Sequence, residues 1–106
     1  MKFPKFSLGV DWKELRKFEK LDEHESSIVF YAENKASMNH FKALIFELTE
    51  KMNLEICYVT SIKDDPMLTL KNLKIKSFYI GDGTARTKFF LTLKARILIM
   101  DMPDIE

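Results

Sequence analysis

Glycine and proline are scarce in this sequence, three of each in 106 residues, and there is one cysteine and two histidines. So few glycines and prolines exclude a collagen-like or low-complexity chain. A lone Cys57 excludes an internal disulfide, and its setting in Leu54-Glu55-Ile56-Cys57-Tyr58-Val59 reads as a buried strand, so a reducing compartment is expected. His24 and His40 stand far apart in the pattern, with no Cys or carboxylate at metal-ligand spacing beside them. No metal site is expected. A charge excess is also missing, because 17 basic residues face 16 acidic ones for a net +1 and a pI near 7.8. Nothing in so balanced a field calls for nucleic acid or an acidic partner. No apolar run approaches a membrane span, and Met1 to Val10 has a positive end without an apolar stretch of signal-peptide length. The expected location is cytoplasmic.

What is present is ordinary globular material, 46% hydrophobic and 31% charged, in a length that holds one domain with a modest core. Residues 1–27 form a lead segment with an amphipathic helix from Asp11, as cap, to about Leu21. Trp12, Leu15, Phe18 and Leu21 make its apolar side. Ser27 to Ala32 is a short continuous apolar run, the signature of a strand covered on both faces. From Ser37 to about Met52 a helix carries Met38, Phe41, Leu44, Ile45, Leu48 and Met52 on one stripe, with Phe46 off it. A second strand covers about Leu54 to Thr60, and Asp65-Pro66 starts a short helix ending near Leu70. A third strand at Ile75 to Tyr79, a helix at Thr84 to Lys94 and a fourth strand at Arg96 to Met100 complete the 28–106 region. Strands separated by helical crossovers predict an α/β domain of three layers, with a four-stranded parallel sheet ordered 3-2-1-4.

Such a sheet binds ligands beyond the carboxyl ends of its strands, which singles out residues 33–36, 61–66, 81–84 and 101–106. Gly81-Asp82-Gly83-Thr84-Ala85-Arg86-Thr87 is the strongest candidate. Gly81 and Gly83 permit close backbone approach, and the helix that follows adds its positive end. Arg86 near a helix start opposes the macrodipole, which invites a compensating anion. That anion is either a ligand phosphate or carboxylate held by the turn amides, Thr84, Thr87 and Arg86, or simply Asp82. In the second case the glycines make a tight turn, Thr84 caps the helix and Arg86 pairs with Asp82. Gly-x-Gly after the third strand, with no third glycine, fits a dinucleotide fingerprint poorly, and no cofactor is expected. Glu33 and Asn34, at the tip of the first strand, form a second candidate pair that orients a substrate hydroxyl or serves as a solvated turn. No Ser/His/Asp or Cys/His nucleophilic set assembles.

Four blocks carry a resemblance. Val29-Phe30-Tyr31-Ala32-Glu33-Asn34-Lys35, Tyr58-Val59-Thr60-Ser61 with Asp64-Asp65-Pro66, Phe78 to Thr87, and Met100-Asp101-Met102-Pro103-Asp104 resemble, in order, segments of the CDP-glycerol glycerophosphotransferases. These bacterial enzymes are related to teichoic-acid polymerases and built on the two-domain GT-B fold. The resemblance implies a Rossmann-like acceptor-side half, a phosphate-bearing acceptor at Gly81, Gly83, Thr84, Arg86 and Thr87, and transfer in a cleft shared with a donor-binding half. It also implies that this chain is not catalytic alone and needs a second chain for the donor site. A different expectation stands beside it, a non-catalytic module that binds an anion or oligomerises. The sheet ends on Ile97-Leu98-Ile99-Met100 with no helix after it, so a homo-oligomer is expected, and Phe46 and the Phe89-Phe90 pair, if one ring faces out, are either its contact residues or ordinary core. The lead helix, with Trp12 and Phe18, is expected to pack on the sheet in preference to the inner membrane surface.

Overall fold

The computed structural model describes residues 9–72 and 74–100. Helix α1 (Val10–Glu19) leads into β1 (Ile28–Ala32), α2 (Lys35–Phe46), a π-helical turn (Glu47–Lys51) and β2 (Ile56–Thr60). A 3₁₀ turn (Pro66–Thr69), β3 (Ile75–Tyr79), α3 (Thr84–Thr92) and β4 (Ile97–Met100) follow. All strand pairs are parallel, in the order β3-β2-β1-β4. This is the three-layer, Rossmann-like arrangement expected from the alternating pattern, with β1 and β2 in the middle of the sheet.

Two apolar layers hold it. Leu15 and Phe18 of α1, with Ala85 and Phe89 of α3, cover Val29, Tyr31, Cys57, Val59 and Phe78 on one face. Phe41 and Ile45 of α2, with Met67, cover Phe30, Ala32, Ile56, Tyr58 and Ile75 on the other. The central strands are enclosed on both sides, which is why they read as unbroken apolar runs. Because Trp12 and Phe18 belong to the first layer, α1 lies on the sheet as expected.

Several details depart from the sequence reading. Gly9, not Asp11, is the N-cap of α1, and Asp11 sits within the first turn, its Oδ1 accepting from the Trp12 N–H at 3.0 Å. Asn34 caps α2 by accepting from the Ser37 N–H at 3.0 Å. The expected stripe on α2 breaks where the helix widens into the π turn. Buried Thr49 bonds back to the Ile45 carbonyl at 2.9 Å, and Met52 is left exposed. Leu44 is also exposed, whereas Phe46 packs on the second layer. Phe89 is buried, and Phe90 and Phe46 are partly buried against the first and second layers. The Asp65-Pro66 start stands: Asp65 accepts from the Met67 N–H at 2.9 Å and from the Tyr58 hydroxyl at 2.6 Å. Residues 101–106, one of the four candidate loops and most of the fourth resembling block, lie outside the described residues.

Candidate functional site

The carboxyl ends of β1, β2 and β3 meet in one hydrogen-bonded cluster. Ala32 O accepts from the Ser61 N–H and Thr60 O accepts from the Ile80 N–H, both at 3.0 Å, so the three strand exits are tied together by backbone first. Tyr31, at 1% exposure, projects from β1 on the α3 side, where its ring meets Phe90 edge-on at 4.9 Å. Its hydroxyl lies 2.6 Å from Ser61 Oγ and 2.5 Å from Arg86 Nε, and Ser61 Oγ lies 2.5 Å from the Gly81 carbonyl.

Elementary donor and acceptor rules orient every proton in that chain. A guanidinium only donates, so the Tyr31 oxygen accepts from Arg86 and its own proton passes to Ser61 Oγ. A carbonyl only accepts, so the Ser61 proton points at Gly81. The result runs in one direction, Arg86 to Tyr31 to Ser61 to Gly81, and leaves none of these hydroxyls unsatisfied. Gly81 itself sits at φ +66°, the left-handed region that its missing Cβ makes accessible.

Arg86 completes the cluster from the first turn of α3. Its guanidinium carbon lies 5.5 Å from the Tyr31 ring centre and 5.4 Å from that of Phe90, and Nη2 is 3.6 Å from Glu33 Oε1. Neither polar contact uses Nη1. The Tyr31 hydrogen bond, aided by Glu33 and Asp82, raises the Arg86 pKa above its already high value, so it is a permanent cation. The Tyr79 hydroxyl nearby is also held protonated beyond its usual range, first by burial and then by the Asp11 and Asp82 carboxylates.

The sequence-predicted residues separate into two groups. Gly81, Arg86 and Glu33 come together, whereas Gly83, Thr84 and Thr87 remain on the α3 turn. Gly83, not Thr84, is the N-cap, and no side chain caps the helix; Thr84 is exposed at its first position. Thr87 turns back on the Gly83 carbonyl, through N–H at 3.2 Å and Oγ1 at 3.4 Å. Arg86 pairs with Glu33 in place of Asp82, because the guanidinium is drawn towards β1 by Tyr31. The Asn34 side chain is taken up by the α2 cap. Tyr31 was missed as a site residue, and Ser61 was marked only as the first residue of the 61–66 loop; both carry hydroxyls at the exits of adjacent strands.

Elsewhere, a depression of about 260 Å³ bounded by Phe18, Leu21, Glu23 and Lys94 lies at the opposite end of the sheet. Among the described residues no group of three or more His, Cys, Asp and Glu is placed to hold a metal ion. No helix among them is long and apolar enough to cross a membrane. Fold and cluster together define a Rossmann-like α/β domain with a polar site at the carboxyl edge of its sheet. No protein-family model matches the chain, and neither a curated protein nor a solved structure matches it.

Proposed function

We propose that the carboxyl-edge cluster positions an oxyanion, the phosphate of an acceptor molecule, and that this domain is the acceptor-side part of a glycerophosphotransferase-like system. The observation that carries this reading is the fixed guanidinium of Arg86, held at Nε by buried Tyr31, with Nη2 meeting only the half-exposed Glu33 carboxylate and Nη1 in neither polar contact. A cation locked by neutral groups retains its attraction for a second anion, and a guanidinium fork matches phosphate geometry. The topology supports the location. β1 lies between β2 and β4, and the chain leaves for α2 on one face and for α3 on the other, so the β1 exit lies at the switch point of the sheet, where open α/β folds bind ligands. The transferase assignment rests on the resemblance of the four sequence blocks.

Titration with inorganic phosphate and glycerol 3-phosphate, read by amide and Arg Nε–H NMR signals, tests the reading. The Gly81 to Thr87 amides and the Arg86 Nε–H are expected to shift, and Arg86→Ala is expected to weaken binding by about 1.5–3 kcal/mol, the scale of a charged hydrogen bond. A folded protein whose signals stay in place at saturating phosphate would overturn it.

A further inference from the structure

Glu33 and Arg86 are held very differently although they form one ion pair. Arg86 is anchored through Tyr31, which is itself anchored through Ser61 to the Gly81 carbonyl. Glu33 has no such support: its carboxylate is 3.6 Å from Arg86 Nη2, its side chain is 48% exposed, and it has no other polar partner among the described residues. That separation is well beyond the ~2.8 Å of a charge-assisted hydrogen bond. Its backbone is nonetheless fixed, since Glu33 lies between the last residue of β1 and the Asn34 cap of α2. The side chain can swing away without disturbing either element, and Arg86 stays where Tyr31 holds it.

From this asymmetry we infer that Glu33 is a built-in stand-in for the ligand, a carboxylate on a mobile arm that covers the Arg86 guanidinium and is displaced by the incoming phosphate. This rests on the oxyanion reading given above and adds the exchange to it. Displacement costs little, because an exposed ion pair contributes little. While Glu33 stays nearby its charge opposes the second anion, so the carboxylate sets the affinity and keeps the site selective for ligands that outcompete it. Glu33 is then neither a substrate-orienting group nor part of the fold's support, which separates this inference from the role expected of it on sequence alone.

The test uses inorganic phosphate as probe and three versions of the full chain: unaltered, Glu33→Gln and Glu50→Gln. Glu50 is exposed on the π turn, on the α2 side of the sheet, and its substitution removes the same charge away from the cluster. Glu33→Gln is expected to tighten phosphate binding about three- to tenfold, the range for losing one nearby, solvent-screened repulsion, with Glu50→Gln unchanged. Binding by Glu33→Gln alone, with none by the unaltered chain, would support the inference equally. If the unaltered chain binds and Glu33→Gln binds equally or more weakly, the stand-in role is overturned while the oxyanion site survives. Equal tightening by both substitutions also overturns it, as a general charge effect. If neither the unaltered chain nor Glu33→Gln binds, the site reading fails and the inference with it.

Discussion

At Gly81 a single backbone conformation connects three strand exits. Its φ of +66° is costly for any residue with a Cβ, and a Cβ built there would lie 3.3 Å from Asp11 Oδ2 and 3.5 Å from the Tyr79 hydroxyl. Gly83, two residues on, has negative φ and open space around its missing side chain. The two glycines of the motif therefore do different things, although they look equivalent in sequence. Gly81→Ala is expected to lower unfolding free energy by about 1–2 kcal/mol from the left-handed conformation, with the crowding of Asp11 adding to it. Gly83→Ala is expected to cost less. Urea titrations of the two variants side by side check the order, and a smaller loss at Gly81 would show that the turn relaxes freely. The same contrast explains part of what was legible. A glycine turn before a helix with a displaced arginine is readable from spacing, so Gly81 and Arg86 stood out. Tyr31 and Ser61 did not, because each looks like an ordinary strand or turn residue until the fold is formed. Their contacts span 30 residues between Tyr31 and Ser61, and 55 between Tyr31 and Arg86.

Elements were more readable than their ends. Ile75–Tyr79 falls on its expected bounds, and the strand order β3-β2-β1-β4 is the one expected of strands joined by helical crossovers. Helix ends were less readable because capping is decided by geometry that several neighbouring residues can satisfy. Asp11 is a good capping residue, yet Gly9 occupies the position and Asp11 faces the Gly81 turn instead. The π turn after α2 was invisible for a related reason: a stripe spaced for an α-helix carries no mark where bonding changes to i→i+5, and only Thr49, polar and fully buried, betrays it. Asn34 shows the reverse case, a residue marked as a site candidate whose side chain is committed to a helix end. Asn34→Ala should therefore destabilise the fold by about 0.5–2 kcal/mol, the usual cost of losing such a cap. Asn34→Ser, which keeps an acceptor at the cap, should recover most of it. Thermal denaturation of the two variants decides the point. A full loss in the serine variant would assign Asn34 to something other than the cap.

For the molecule as a whole, enclosure of the sheet between two helical layers makes stability depend on alkaline pH. Every residue of β2 is buried, and Cys57, the second of them, has no exposed surface. Burial, partly offset by Lys76, pushes its thiol from 9.0 up to about 12. Tyr58, beside it on the opposite face, is raised from 10.0, first by burial and then by its hydrogen bond to Asp65. For both groups the folded chain holds the proton more tightly than the unfolded chain does. Their contribution is complete below the unfolded pKa and is lost as pH rises, beginning near 9 for Cys57 and near 10 for Tyr58, so the window opens at pH 9 and Cys57 acts until about 12. A single proton changes stability by about 1.4 kcal/mol per pH unit within such a window. Urea midpoints are therefore expected to be level with respect to this thiol up to pH 9 and to fall beyond it. Cys57→Ala removes the thiol and should flatten the decline between pH 9 and 10, where Tyr58 has not begun to act, even though the variant starts from a lower stability because the core is less filled. Comparing slopes instead of absolute values separates the two effects. An identical slope in the two proteins over that interval would mean that the thiol ionises inside the folded sheet, and that the two layers do not exclude water from β2 as their packing requires.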